Sequence, residues 1–134
     1  MSSPLDKLTG PGGALATEPP DPAEFQGLKD SGLDRLNDAA KGSLSLASRF
    51  DLAYNAAHAL CLAALRREGY RPQKRYIVFQ ALPHTLGLGP EVWRILDRAH
   101  TLRNLGEYEG HLDIDERFVA DLVTAAQKVA AALE

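Results

Sequence analysis

The sequence predicts an all-α protein, an antiparallel bundle of four to five helices. Three observations point there. Apolar residues recur at the helical period of about 3.6 along four long stretches. Short loops carrying Gly, Pro, Ser or Asp separate those stretches. The one β-branched and aromatic run, Tyr76-Ile-Val-Phe79, has no partner strand in view, so helix is the better reading there.

Residues 1–24 hold five of the eight prolines, together with Gly10, Gly12 and Gly13. Thr17-Glu-Pro-Pro-Asp-Pro22 is incompatible with helix or central strand. A flexible N-terminal arm over 1–24 is expected, of the kind that packs on a neighbouring subunit, followed by a bundle over 25–134.

Residues 25–41 place Leu28, Leu33, Leu36 and Ala40 on one helical face, interrupted by Gly32, and Gly42-Ser43 ends the helix. Residues 44–69 form the longest helix, with Ser43 as the expected N-cap and Gly69 as the stop. Its apolar face is wide, from Leu46 and Phe50 through Tyr54 and Leu60 to Leu65, which suits contact with several helices or a second subunit. Asp51, Asn55 and His58 run along it as a polar line, either a solvated face or a track lining a groove. Cys61 is the sole cysteine and sits among apolar residues, so it reads as structural and forms no disulfide within the chain.

Gly69-Tyr-Arg-Pro72 reads as a turn, and 74–88 as a helix ended or kinked by Pro83. His84, just after Pro83, is expected to be a capping or surface group. Gly87-Leu-Gly-Pro90 is a loop that leads into a helix over 90–109, with Pro90 in its first turn. Val92, Ile95, Leu96, Ala99 and Leu102 form its apolar stripe. Arg103 falls inside that stripe, and His100 and Glu107 lie at its edge. A lone buried charge is costly, so Arg103 must either pair with Glu107 at i, i+4 or line a groove. Asp113-Ile-Asp-Glu116 reads as a capping box with Asp113 as the cap. Phe118, Val119, Leu122, Val123, Ala126, Val129, Ala130 and Leu133 then continue a clean stripe.

The net charge of −3 gives no global signature for nucleic acid, and no DNA partner is expected. The distribution is uneven. Residues 49–109 carry nine Lys/Arg against six Asp/Glu, whereas 1–48 carry four against seven and 110–134 two against five. A mildly basic middle suits a local anionic ligand. No apolar leader or run of about 18 apolar residues occurs, so neither secretion nor membrane spanning is expected, and a cytoplasmic protein is the simplest reading.

Gly87-x-Gly89 lacks the rest of a phosphate-loop motif, and one cysteine precludes a Cys-rich zinc site. No cofactor is expected. His111-x-Asp113-x-Asp115 with Glu109 and Glu116 is a set of hard ligands, but helix capping accounts for the acids fully, and no metal is assigned. What remains is His100, Arg103, Asn104, Glu107, Tyr108 and His111. His and Arg are what a metal-independent ribonuclease needs: one moves the 2′-hydroxyl proton and the other stabilises charge on the phosphate.

Arg103-Asn104 near the end of a bundle helix, followed by Tyr108, resembles the signature helix of HEPN domains. The stretch Arg49-Phe-Asp-Leu-Ala-Tyr-Asn-Ala-Ala57 is similar to that family's tyrosine- and alanine-rich helix. The resemblance covers residues 25–133. It implies a small all-α bundle, a homodimer, and either a metal-independent endoribonuclease of toxin–antitoxin or defence systems or a non-catalytic nucleotide-binding module. An antitoxin or a nucleotidyltransferase is the implied protein partner. The family motif is Arg, a short spacer beginning with a polar residue, then His. Arg103 and Asn104 match its start, and Tyr108 stands where His is expected, so the motif is degenerate. His100, His58 or His111 is the substitute. The reading therefore assigns Arg103, Asn104, Tyr108 and His100 to catalysis and Asn55, His58, Glu107 and His111 to binding of RNA or a nucleotide. A non-enzymatic protein-interaction module, with Arg103 and Glu107 as a structural pair, is the alternative.

Overall fold

In the computed structural model, which describes residues 4–134, six α-helices pack with one of them, α2, at the centre. They are α1 (Pro22–Ala39), α2 (Leu46–Arg67), α3 (Ile77–Gln80), α4 (Leu82–Thr85), α5 (Pro90–Glu109) and α6 (Glu116–Leu133). Two three-residue strands, β1 (Leu15–Thr17) and β2 (Tyr70–Pro72), pair antiparallel with Ala16 opposite Arg71. The architecture is thus all-α in substance. Among the described residues no helix is long and apolar enough to cross a membrane.

Helix α2 is the hub because its apolar face is wide. Phe50, Ala53, Tyr54, Ala57, Leu60, Cys61, Ala64 and Leu65 are each at most 1% exposed. Burying a large side chain of this kind contributes about 1.5–3 kcal/mol, so the face binds α1, α5 and α6 around it. Small residues set the spacing. A Cβ at Gly32 of α1 would lie 2.7 Å from Leu60 Cγ, so this glycine is the point where α1 touches α2 and not a mere interruption. Helix α6 lays Val119, Leu122, Ala126 and Val129 into the same core. The buried setting of Cys61 pushes its thiol pKa up and leaves it inert.

Several local expectations need correction. The N-cap of α2 is Ser45, whose Oγ accepts from Ser48 N, and not Ser43. The α6 cap is Asp115, which accepts from Phe118 N at 2.7 Å, and not Asp113. The expected helix over 74–88 is two single turns joined at Ala81, because Pro83 lacks the N–H that would continue the ladder. Within the expected turn at 69–72, Gly69 makes the turn and Tyr70–Pro72 is a strand. Its partner lies in the arm, where proline density hid it.

Residues 4–21 do not form a free arm, and residues 1–3 lie outside the described part. Pro4–Leu8 makes a 3₁₀ turn, β1 pairs with β2, and Leu5 and Leu15 are each 1% exposed. They pack with Leu65, Tyr70, Ile77 and Ala81 as a second apolar cluster. An ion cluster ties the arm down. Arg66 is 2% exposed and donates from Nε to Glu24 Oε1 at 2.5 Å, from Nη1 to the Glu18 carbonyl at 3.0 Å, and from Nη2 to the Pro19 carbonyl at 2.8 Å. Arg71 bridges Glu18 and Glu24 at 2.6 and 2.7 Å. Hydrogen bonds from Arg71 hold both carboxylates below their usual range, with Arg66 adding to the effect.

Candidate functional site

The polar residues of the middle of the chain gather around Tyr54. The sequence places them there by helical spacing. Tyr54 and His58 stand one turn apart on α2, and His100, Arg103, Asn104 and Glu107 share the face of α5 that meets α2. Arg75 and Phe79, on and just before α3, close the third side.

The Tyr54 ring stacks on His100 at a centroid distance of 6.3 Å and on His58 at 6.4 Å, while Phe79 meets it edge-on at 5.8 Å. The guanidinium carbons of Arg103 and Arg75 lie 5.2 and 5.6 Å from the ring centroid, within cation–π range. At the ring's polar end, Arg75 Nε donates to the Tyr54 hydroxyl at 3.1 Å, and His100 Nδ1 lies 3.0 Å from the same oxygen. The Asn104 amide is 3.2 Å from His100 Nε2.

Electrostatics follow from this packing. Burial, reinforced by the positive charge of Arg75, lowers the His58 pKa to about 4. His100 is lowered for the same two reasons, with Asp97 opposing. Both imidazoles are therefore neutral near pH 7. Arg103 pairs with Glu107 at 3.1 Å, with side chains 30% and 64% exposed. A solvent-screened i, i+4 pair of this kind contributes about 0.3–0.5 kcal/mol, too little to account for an Arg on the apolar side of a helix. Arg75 makes no ion pair among the described residues. Beside Arg103 a groove of about 410 Å³ opens, lined also by Asp51, Asn55 and Glu107.

The site thus assembles His58, His100, Arg103, Asn104, Asn55 and Glu107. The polar line Asp51–Asn55–His58 divides: His58 turns in toward Tyr54, while Asp51 and Asn55 line the groove. Two assigned residues stand elsewhere. Tyr108 is 95% exposed at the end of α5. His111 lines a separate, mostly apolar cleft with Leu46, Ala47, Leu112 and Ile114. Tyr108 stands about two turns beyond His100 at the exposed end of α5, and Gly110, left-handed at φ 83°, ends the helix and turns the chain that carries His111 away. Sequence reading missed Tyr54, Arg75 and Phe79 as site residues. The i, i+4 spacing of Tyr54 and His58 was a usable signal, but nothing local marks Arg75. A wider groove of about 590 Å³ lies between the glycine loop at 9–13 and Lys74, but Lys74 is its one charged lining residue. Among the described residues no cluster of three or more His, Cys, Asp or Glu stands close enough to hold a metal ion.

Chemically, two cations and two neutral imidazoles on one aromatic floor can hold an anion and accept or donate a proton beside it. No family model matches the chain, and no curated protein or solved structure matches it either.

Proposed function

We propose that the groove beside Arg103, at the edge of the Tyr54 cluster, binds the phosphate of an RNA strand or a nucleotide, in a HEPN-like bundle that works as a homodimer. The observation that carries this is the convergence of Arg75 and Arg103 with neutral His58 and His100 on one side chain. Two guanidinium groups supply charge-assisted donors for phosphate oxygens. A neutral imidazole beside them is the group a metal-independent transesterification needs. The protein is therefore read as an RNA- or nucleotide-binding module with residual endoribonuclease chemistry, of the toxin–antitoxin or defence type, acting in the cytoplasm. An antitoxin or a nucleotidyltransferase is the protein partner this reading implies.

The test is fluorescence anisotropy with labelled single-stranded RNA and with a nucleoside monophosphate, at low and at physiological salt. Each charge-assisted bond is worth about 1.5–3 kcal/mol, so Arg75→Ala and Arg103→Ala should each weaken binding by about tenfold or more. The salt dependence should also fall in each variant. Incubation of the same RNA without metal reads cleavage in parallel. Wild-type protein that binds neither ligand at any salt overturns the proposal.

The direct Arg103–Glu107 contact favours one second reading, a non-enzymatic interaction module in which this pair is structural. Under it, Arg103→Ala lowers the melting temperature and Glu107→Gln in the same chain restores it. Under the anion-site reading, stability changes by less than about 1 kcal/mol, as expected for a screened pair.

A further inference from the structure

We propose that Tyr54 is a positioning residue that locks His100 with its proton on Nε2, so that His100 offers an N–H donor to the bound anion.

The hydrogen-bond inventory forces this assignment. Tyr54 is 1% exposed, and a buried hydroxyl proton without an acceptor costs about 1–3 kcal/mol. Its oxygen already accepts from Arg75 Nε, and a guanidinium has no acceptor to give back. His100 Nδ1, at 3.0 Å, is the one acceptor the hydroxyl reaches among the described residues. The hydroxyl therefore donates to Nδ1. A neutral imidazole carries one proton, so that proton sits on Nε2. Nε2 faces the exposed edge beside Asn104, whose amide oxygen accepts its proton in the free protein and, being on an exposed side chain, swings aside when an anion takes its place; amide orientation follows the network and is not fixed by heavy-atom positions. The three groups form one chain in which each bond strengthens the next. Arg75 polarises Tyr54, Tyr54 donates to His100, and His100 points a polarised N–H outward.

The consequence divides the labour between the two histidines. A locked Nε2–H cannot accept a proton from a ligand, so His100 binds and orients. Among the described residues no hydrogen bond fixes the tautomer of His58, which stacks beside Tyr54, so its ring is the one left to accept a proton at this cluster. The ligand in this scheme is a tetrahedral oxyanion, met by Arg75, Arg103 and the His100 N–H. That ligand half rests on the anion-site reading above; the lock itself does not.

The experiment is long-range ¹H–¹⁵N correlation of the imidazole nitrogens in the full-length chain at neutral pH, without ligand and then with inorganic phosphate. The expected result is a single Nε2–H form of His100 whose Nδ1 signal has the position of a nitrogen accepting a hydrogen bond. In Tyr54→Phe the Nδ1 signal should move to that of a free nitrogen and the two tautomers should mix. Phosphate should shift the His100 Nε2–H signal in the wild type. A wild-type His100 protonated on Nδ1 overturns the lock, as does an Nδ1 signal unmoved in Tyr54→Phe. Should Tyr54→Phe fail to fold, Arg75→Gln serves instead, since Arg75 is exposed: the Nδ1 signal should move part of the way, and no movement overturns the chain. If phosphate leaves His100 unmoved while RNA still binds by anisotropy, the donor role is lost and the anion site stands. If neither ligand binds, the anion site falls and the tautomer result stands alone.

Discussion

Replacing Arg66 with Ala should detach the N-terminal segment and cost about 3 kcal/mol. Arg66 is 2% exposed, and its three nitrogens satisfy carbonyls of Glu18, Pro19 and Tyr70 and the carboxylates of Glu18 and Glu24. Removing one partner of a buried ion pair costs about 3–5 kcal/mol. The lower end applies here, because Glu18 and Glu24 are partly exposed and keep Arg71. The orphaned carbonyls add to the loss, since Pro19 and Glu18 give up a charged donor. The assay is urea unfolding at neutral pH with the midpoint read at constant slope. Amide exchange should rise together at Glu18 and Gln73, which bond the Gly69 and Ala14 carbonyls across the β1–β2 ribbon. A loss below about 1 kcal/mol with exchange unchanged would refute the reasoning, since a buried cation cannot leave five acceptors without consequence unless they were already hydrated.

Further outcomes are expected. Gly32→Ala should destabilise by about 1–3 kcal/mol despite the better helix former, because the new methyl meets Leu60 Cγ at 2.7 Å; Gly32→Ala with Leu60→Ala should lose less than the sum of the two single losses, since the clash is gone. His58 should remain neutral until about pH 4, as an NMR titration of its imidazole would show. Its folded pKa lies below the ordinary 6.5, so the unfolded chain takes the proton first as pH falls. Stability from this group is full above pH 6.5 and fades between 6.5 and 4, by on the order of 3 kcal/mol. The lowered Glu18 and Glu24 act in the same sense at lower pH: their contribution is present above 4.5 and is lost as pH falls through the folded values.

Much of the bundle was legible because its signals are local. Helix α5 over Pro90–Glu109 follows from Pro90 at its first turn, a stripe from Val92 to Leu102 and Gly110 at its end. The stripe of α6 from Val119 to Leu133 is buried where the period puts it. The arm was not legible, since what orders it is distant in sequence. Leu15 pairs with Pro72, and Arg66 reaches back to Glu18, across more than forty residues that no periodicity connects. The site was legible by half for the same reason. His100, Arg103 and Asn104 share a helix face, and Arg103, on the apolar stripe, lies against the Tyr54 ring. Arg75 reaches Tyr54 only through the packing of α3, and Gly110 alone did not reveal that the chain would carry His111 into another cleft.

The measurement that tests the central claim most directly is backbone chemical-shift mapping during a titration with single-stranded RNA. The site over Tyr54 predicts that the largest changes cluster at His58, Arg75, His100 and Arg103, on three different segments of the chain. Changes confined to the groove between Gly10, Gly12 and Lys74, or to the cleft at His111 and Leu112, would contradict it.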